Sequence, residues 1–130
     1  MDIHVFYDMV GGDYNEVMSR LMKEDRIYKY LGKFLTATEY EDIPRLLDEK
    51  NWAEAFRAAH TLKGNSLNLG LNNLADSADE VCNPMRASEE ERNAGMQNGV
   101  EPREDMAPRL EKLKEDYEAT VDAIKELLGQ

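Results

Sequence analysis

Apolar residues recur along the chain at steps of three and four, the spacing that lines one face of an α-helix, and no stretch sustains the alternation of a half-buried strand. Asp13-Tyr14-Asn15-Glu16 has the form of a capping box and runs into Tyr14, Val17, Met18 and Leu21, which predicts a short helix over 13–22. From Glu24 onward Ile27, Leu31, Phe34, Leu35 and Thr38 trace one stripe, predicting a helix over 25–38. Proline suits a helix's first turn and damages later ones, so Glu41-Asp42 ahead of Pro44 predicts a new helix over 42–50.

Asn51-Trp52-Ala53-Glu54 is a second candidate box, and the proline-free run behind it ends at Gly70, the residue type most at ease in a left-handed C-cap. A helix over 51–69 is expected. Two further long helices follow from Leu71, Leu74, Ala75, Ala78, Val81, Cys82 and Met85, and from Met106, Leu110, Leu113, Tyr117, Val121, Ile124 and Leu127. Between them Ala87 to Pro102 reads as a polar loop, with Glu89-Glu90-Glu91 as a solvated helix end, and 103–130 carries the final helix. The expectation is one all-α domain over 1–130: an antiparallel four-helix bundle with short additional N-terminal helices.

With 130 residues and 42% hydrophobic content the chain can fill one core. Its 27 acidic against 16 basic residues give a net charge of −11, which opposes binding to phosphate backbones or anionic lipid. Neither nucleic acid nor a membrane is an expected partner. One cysteine, Cys82, excludes an internal disulfide, and no Cys/His cluster has metal-ligand spacing, so no metal is expected. The Met1 to Asp8 start lacks the basic region of a secretory leader, and no uncharged run nears membrane-spanning length. A monomer in the cytoplasm is the expectation.

At 100° per residue, with His60 as origin, Ala55, Ala58, Leu62 and Leu69 of helix 51–69 cluster on the opposite side, the side a bundle buries. His60 then points outward among Ala53, Phe56, Gly64 and Leu67, with Arg57 on one edge and Lys63 on the other. An outward strip so poor in charge marks a docking surface. A surface imidazole is mostly unprotonated at neutral pH and is a nucleophile able to take a phosphoryl group. Lys63 lies one turn along to meet phosphoryl oxygens, and Gly64 removes the side chain that would crowd an arriving partner. There is no phosphate-cradling glycine loop, so no autonomous kinase activity is expected.

Elsewhere the signals are ordinary. His4 has no such surroundings and reads as a surface histidine. Met9, Met18, Met22, Met85 and Met106 read as core filler, Cys82 as a buried small hydrophobe, and Tyr7, Tyr14, Tyr28 and Tyr30 lack the basic interleaving of a base-stacking surface.

The string Ala59-His60-Thr61-Leu62-Lys63-Gly64-Asn65-Ser66-Leu67-Asn68-Leu69-Gly70-Leu71 resembles the signature of histidine-containing phosphotransfer (HPt) domains, a His followed three, four and ten residues later by Lys, Gly and Gly. Phe34, the short helix of Ile43 to Leu47 and the Trp52 to Ala59 approach extend the resemblance over about 13–86. It implies a four-helix phosphocarrier in a His–Asp relay, without an ATP site. His60 would take a phosphoryl group on Nε2 from a receiver-domain aspartyl phosphate and pass it to another receiver. Lys63 would stabilise the phosphoryl group, Gly64 give clearance and Gly70 end the helix, while Ala53, Phe56, Arg57 and Leu67 would meet the partner. Response-regulator receivers and a sensor or hybrid histidine kinase are the implied partners, with any Mg²⁺ held by the receiver and no cofactor here. Leu67 departs from the small residue the family commonly has at that place. The alternative is an all-helical interaction module, a degenerate HPt or a scaffold, that is never phosphorylated.

Overall fold

In the computed structural model, which describes residues 1–130, the regular elements are helical throughout. They are α1 (Ile3–Val10), α2 (Tyr14–Leu21), α3 (Glu24–Phe34), α4 (Glu39–Asp48), α5 (Trp52–Asn68), α6 (Asn72–Cys82), a 3₁₀ turn (Asn83–Met85), α7 (Glu89–Asn93) and α8 (Ala107–Leu128). No helix is long and apolar enough to cross a membrane.

The bundle is the ring α4–α5–α6–α8. Helix α5 packs on α4 and on α6, and α6 packs on α8. Tyr40 of α4 closes the ring by stacking on Tyr117 of α8, with centroids 3.8 Å apart and planes 3° from parallel. Short connections turn α4 into α5 and α5 into α6 as antiparallel neighbours. The long crossover does the same for α6 and α8: Arg109, in the first turn of α8, donates to the Glu80 carbonyl near the end of α6 at 2.8 Å. Leu71, Leu74, Ala75, Ala78, Val81, Cys82 and Met85 are all buried, as the α6 stripe requires.

Helix α1 was not expected as an element. Ile3, Phe6, Tyr7 and Val10 have the required period and are buried, Asp2 caps the first turn, and Gly11 ends the helix at φ 74°. Tyr7 donates its hydroxyl proton to the Leu69 carbonyl at 2.9 Å, fastening α1 to the end of α5. Gly70 sits at that junction with φ 74°, and a Cβ there would meet Val17 Cγ2 at 2.5 Å and Tyr7 Cε1 at 2.8 Å. The glycine therefore both ends α5 and admits α1 and α2 to close range.

Other boundaries move for local reasons. Asp13 and Asn51 accept from first-turn amides, yet Glu16 and Glu54 reach forward to Arg20 and Arg57 rather than back, so neither predicted capping box is complete. Helix α4 starts at Glu39 rather than 42 because Glu39, Glu41 and Asp42 all favour the positive end of the helix dipole. Pro44 then lies in the second turn, and Thr38 is the exposed residue ahead of α4 instead of a buried position on α3. The stretch 87–102 is not simply a loop: Ser88 and Glu91 form a full capping box, and Glu89-Glu90-Glu91 opens α7. Of the methionines taken as filler, Met85 is buried, Met18 and Met106 are half-buried, and Met9 and Met22 are exposed. Met9 lies on the outer side of α1, and Met22 is turned out by a left-handed φ of 70° beyond α2.

Candidate functional site

Helix α5 runs between α4 and α6, which fixes the direction of every side chain on it. Ala55, Ala59, Leu62 and Ser66 are buried, and Ala58 is only half-buried. The buried centre is therefore turned toward Ala59 and Ser66, the flank along which α6 packs. His60 remains exposed, with Ala53, Arg57, Gly64 and Leu67, while Phe56 and Lys63 are half-buried. A Cβ built on Gly64 meets nothing within 4 Å, so no packing inside the protein requires a glycine there.

The rings of Phe56 and His60 stack at 5.7 Å with 23° between their planes. The guanidinium of Arg86, from just beyond the 3₁₀ turn, lies 5.5 Å from the Phe56 ring centre. Arg86 Nη2 donates to Asp79 Oδ1 at 2.9 Å, and Lys63 Nζ donates to the same oxygen at 2.9 Å. Those bonds, Lys63's above all, hold the Asp79 carboxyl below the ordinary carboxylate range although burial pushes it up. Two cations on one carboxylate leave a local excess of one positive charge beside His60 on a chain of net −11. Arg57 is paired with Glu54. Burial pushes the nearby Cys82 thiol up to about 11, which makes it a packing group rather than a nucleophile.

The crossover supplies the remaining wall. Gly99 and Val100 donate their amides to the Met85 carbonyl at 2.8 and 3.0 Å, and Asn98 Oδ1 accepts from the Ala87 amide at 2.9 Å. Gly99 has φ 98°, and a Cβ on it would lie 2.7 Å from Ala53 Cα. This close approach sets Gln97 and Asn98 beside Ala53, Phe56, Arg57 and His60, around an open cavity of about 380 Å³.

Four of the residues expected at the site, Ala53, Phe56, Arg57 and His60, thus line one cavity. Leu67 is 44% exposed on α5 but does not line it. Lys63 leans across to α6, and Gly70 lies at the far end of α5. Asp79, Arg86, Gln97 and Asn98 were missed. For Asp79 and Arg86 the available signal was their separation of seven residues, two helical turns, along the edge of the α6 stripe. Gln97 and Asn98 carried only the flanking Gly95 and Gly99.

Among known proteins, a family model described as the Hpt domain matches residues 35–128. That range takes in α4 to α8, including the crossover and final helix, and leaves α1, α2 and α3 outside. No curated protein gives a significant match, and neither does any solved structure. With more than half of its length matched and all four bundle helices inside the match, the chain belongs to the Hpt domain family.

Proposed function

We propose that this Hpt domain carries phosphoryl groups in a His–Asp relay, with His60 accepting from a receiver-domain aspartyl phosphate and donating to a second receiver. The Nε2 lone pair forms the N–P bond while the P–O bond to the receiver's carboxylate breaks, its electron pair remaining on that carboxylate. The proton on the other ring nitrogen passes to water. In this reading the divalent ion and the acidic pocket belong to the receiver, the chain acts as a monomer in the cytoplasm, and the rate comes from positioning and charge stabilisation.

The observation that carries the reading is the exposed His60 ring, stacked on Phe56 at the rim of an open cavity, while the charged side chains around it pair with one another. Gly64 supports it, since the clearance there faces outward. Arg86 and Lys63 provide the positive charge that an incoming phosphoryl group requires.

Incubation with a receiver charged by radiolabelled acetyl phosphate tests the proposal. The expected label is acid-labile, alkali-stable and lost in His60→Gln. Label that persists in that variant, or none on wild type across several receivers, would leave an interaction module instead.

A further inference from the structure

Lys63 and Arg86 reach the flank of His60 from different elements and end on one atom. Both donate to Asp79 Oδ1 at 2.9 Å. Arg86 is held additionally by Nε donating to Asn83 Oδ1 at 3.2 Å and by its place over Phe56, whereas Asp79 is the acceptor for the Lys63 ammonium. The three side chains are 28% to 35% exposed, between open water, where such pairs contribute little, and the deep interior, where they could not exchange partners.

The geometry points to Asp79 as a positioning counter-ion that competes with the phosphoryl group for Lys63 and Arg86 and thereby keeps a phosphoryl group on His60 transferable. This rests on the phosphocarrier reading of His60. Phosphorylation adds a dianionic phosphoryl group to His60, and both Lys63 and Arg86 are already bonded to a carboxylate. Each cation that turns to the phosphoryl oxygens gives up its bond to Asp79, and the freed carboxylate repels the new charge. Both effects raise the phosphorylated state relative to the free one, and an equilibrium moves only by such a difference between its two states. A carrier that held the group too tightly would not release it to the next receiver.

The test is the equilibrium between phospho-His60 and receiver aspartyl phosphate, measured with a receiver charged by radiolabelled acetyl phosphate. Asp79→Asn keeps an oxygen acceptor but removes the charge, and is expected to shift the equilibrium toward His60 by roughly three- to tenfold, the scale of one screened charge near water. Asp79→Glu should return it toward wild type. In a Lys63→Ala, Arg86→Ala background the effect of Asp79→Asn should shrink, because no cation remains to be released; a merely structural role for Asp79 would not depend on them in this way. An unchanged equilibrium in Asp79→Asn, or a shift toward the receiver, overturns the inference while leaving a labelled wild type intact as a phosphocarrier. A wild type that takes no label overturns both.

Discussion

Phe56 and His60, one turn apart on α5, stack at 5.7 Å with planes 23° from parallel, and the same Phe56 ring has the Arg86 guanidinium 5.5 Å from its centre. The stack limits where the imidazole can swing. Phe56→Ala should keep the fold, lose roughly 1–3 kcal/mol of stability from the half-buried ring and its pairings, and slow transfer several-fold. Phe56→Tyr preserves the ring and should transfer at close to the wild-type rate. Single-turnover transfer from a charged receiver reads both, and equal rates for the alanine and tyrosine variants would remove the stack from the mechanism.

Two glycines lie within helices with open space at the Cβ position, Gly32 in α3 and Gly64 in α5. Alanine at either should stabilise by up to about 1 kcal/mol through helix propensity, raising Tm by a few degrees. They should part company in function: Gly64→Ala adds a methyl group to the exposed side of α5 one turn from His60 and should slow transfer, and Gly32→Ala should not. Thermal denaturation paired with transfer rates checks this, and a Gly64→Ala protein with wild-type transfer would dismiss the clearance role.

At the α5 terminus the expected effect is on stability alone. Gly70→Ala imposes a side chain at φ 74° and a contact of 2.5 Å with Val17, so a loss of roughly 2–4 kcal/mol is expected. Tyr7→Phe removes one buried hydroxyl and leaves the Leu69 carbonyl unpaired, for a loss of about 1–2 kcal/mol. Urea titrations measure both. A Tyr7→Phe protein as stable as wild type would show that the bond adds nothing.

Glu91 accepts from Arg103 and from the Ser88 amide, and those bonds, Arg103's first, lower its carboxyl from the ordinary 4.5 to about 2. A folded-state value below the unfolded one gives a contribution that is complete above 4.5 and is lost as the pH falls toward about 2. The α7 segment should therefore loosen in that window, seen as faster amide exchange over residues 88–99. Glu91→Gln should flatten that dependence, and equal acid sensitivity in the variant would assign it to other groups.

Much of the site was legible because one helix carries it. The periodicity of Ala55, Leu62 and Leu69 is enough to turn His60 outward, since 100° per residue leaves little freedom once one face is buried. The destination of Lys63 was not legible, because its partner Asp79 sits sixteen residues away on α6 and cross-helix pairing leaves no mark in the spacing of α5. Gln97 and Asn98 escaped for a similar reason: backbone bonds to Met85 and a glycine contact with Ala53 fix them, and neither repeats along the chain. Helix α1 had the right period but only eight residues to display it, ahead of a Gly11-Gly12 break.

The crossover divides its labour between two short pieces. Gly99 is lodged against the backbone of α5, so the route of the chain into α8 admits no side chain at that point. The side chains of Met96 and Gln97 take no part in that contact and are exposed, and Gln97 lines the histidine's cavity. Mutation can rewrite those two positions without disturbing the bundle, which makes them the readiest ground for a duplicated copy of this protein to diverge in the company it keeps.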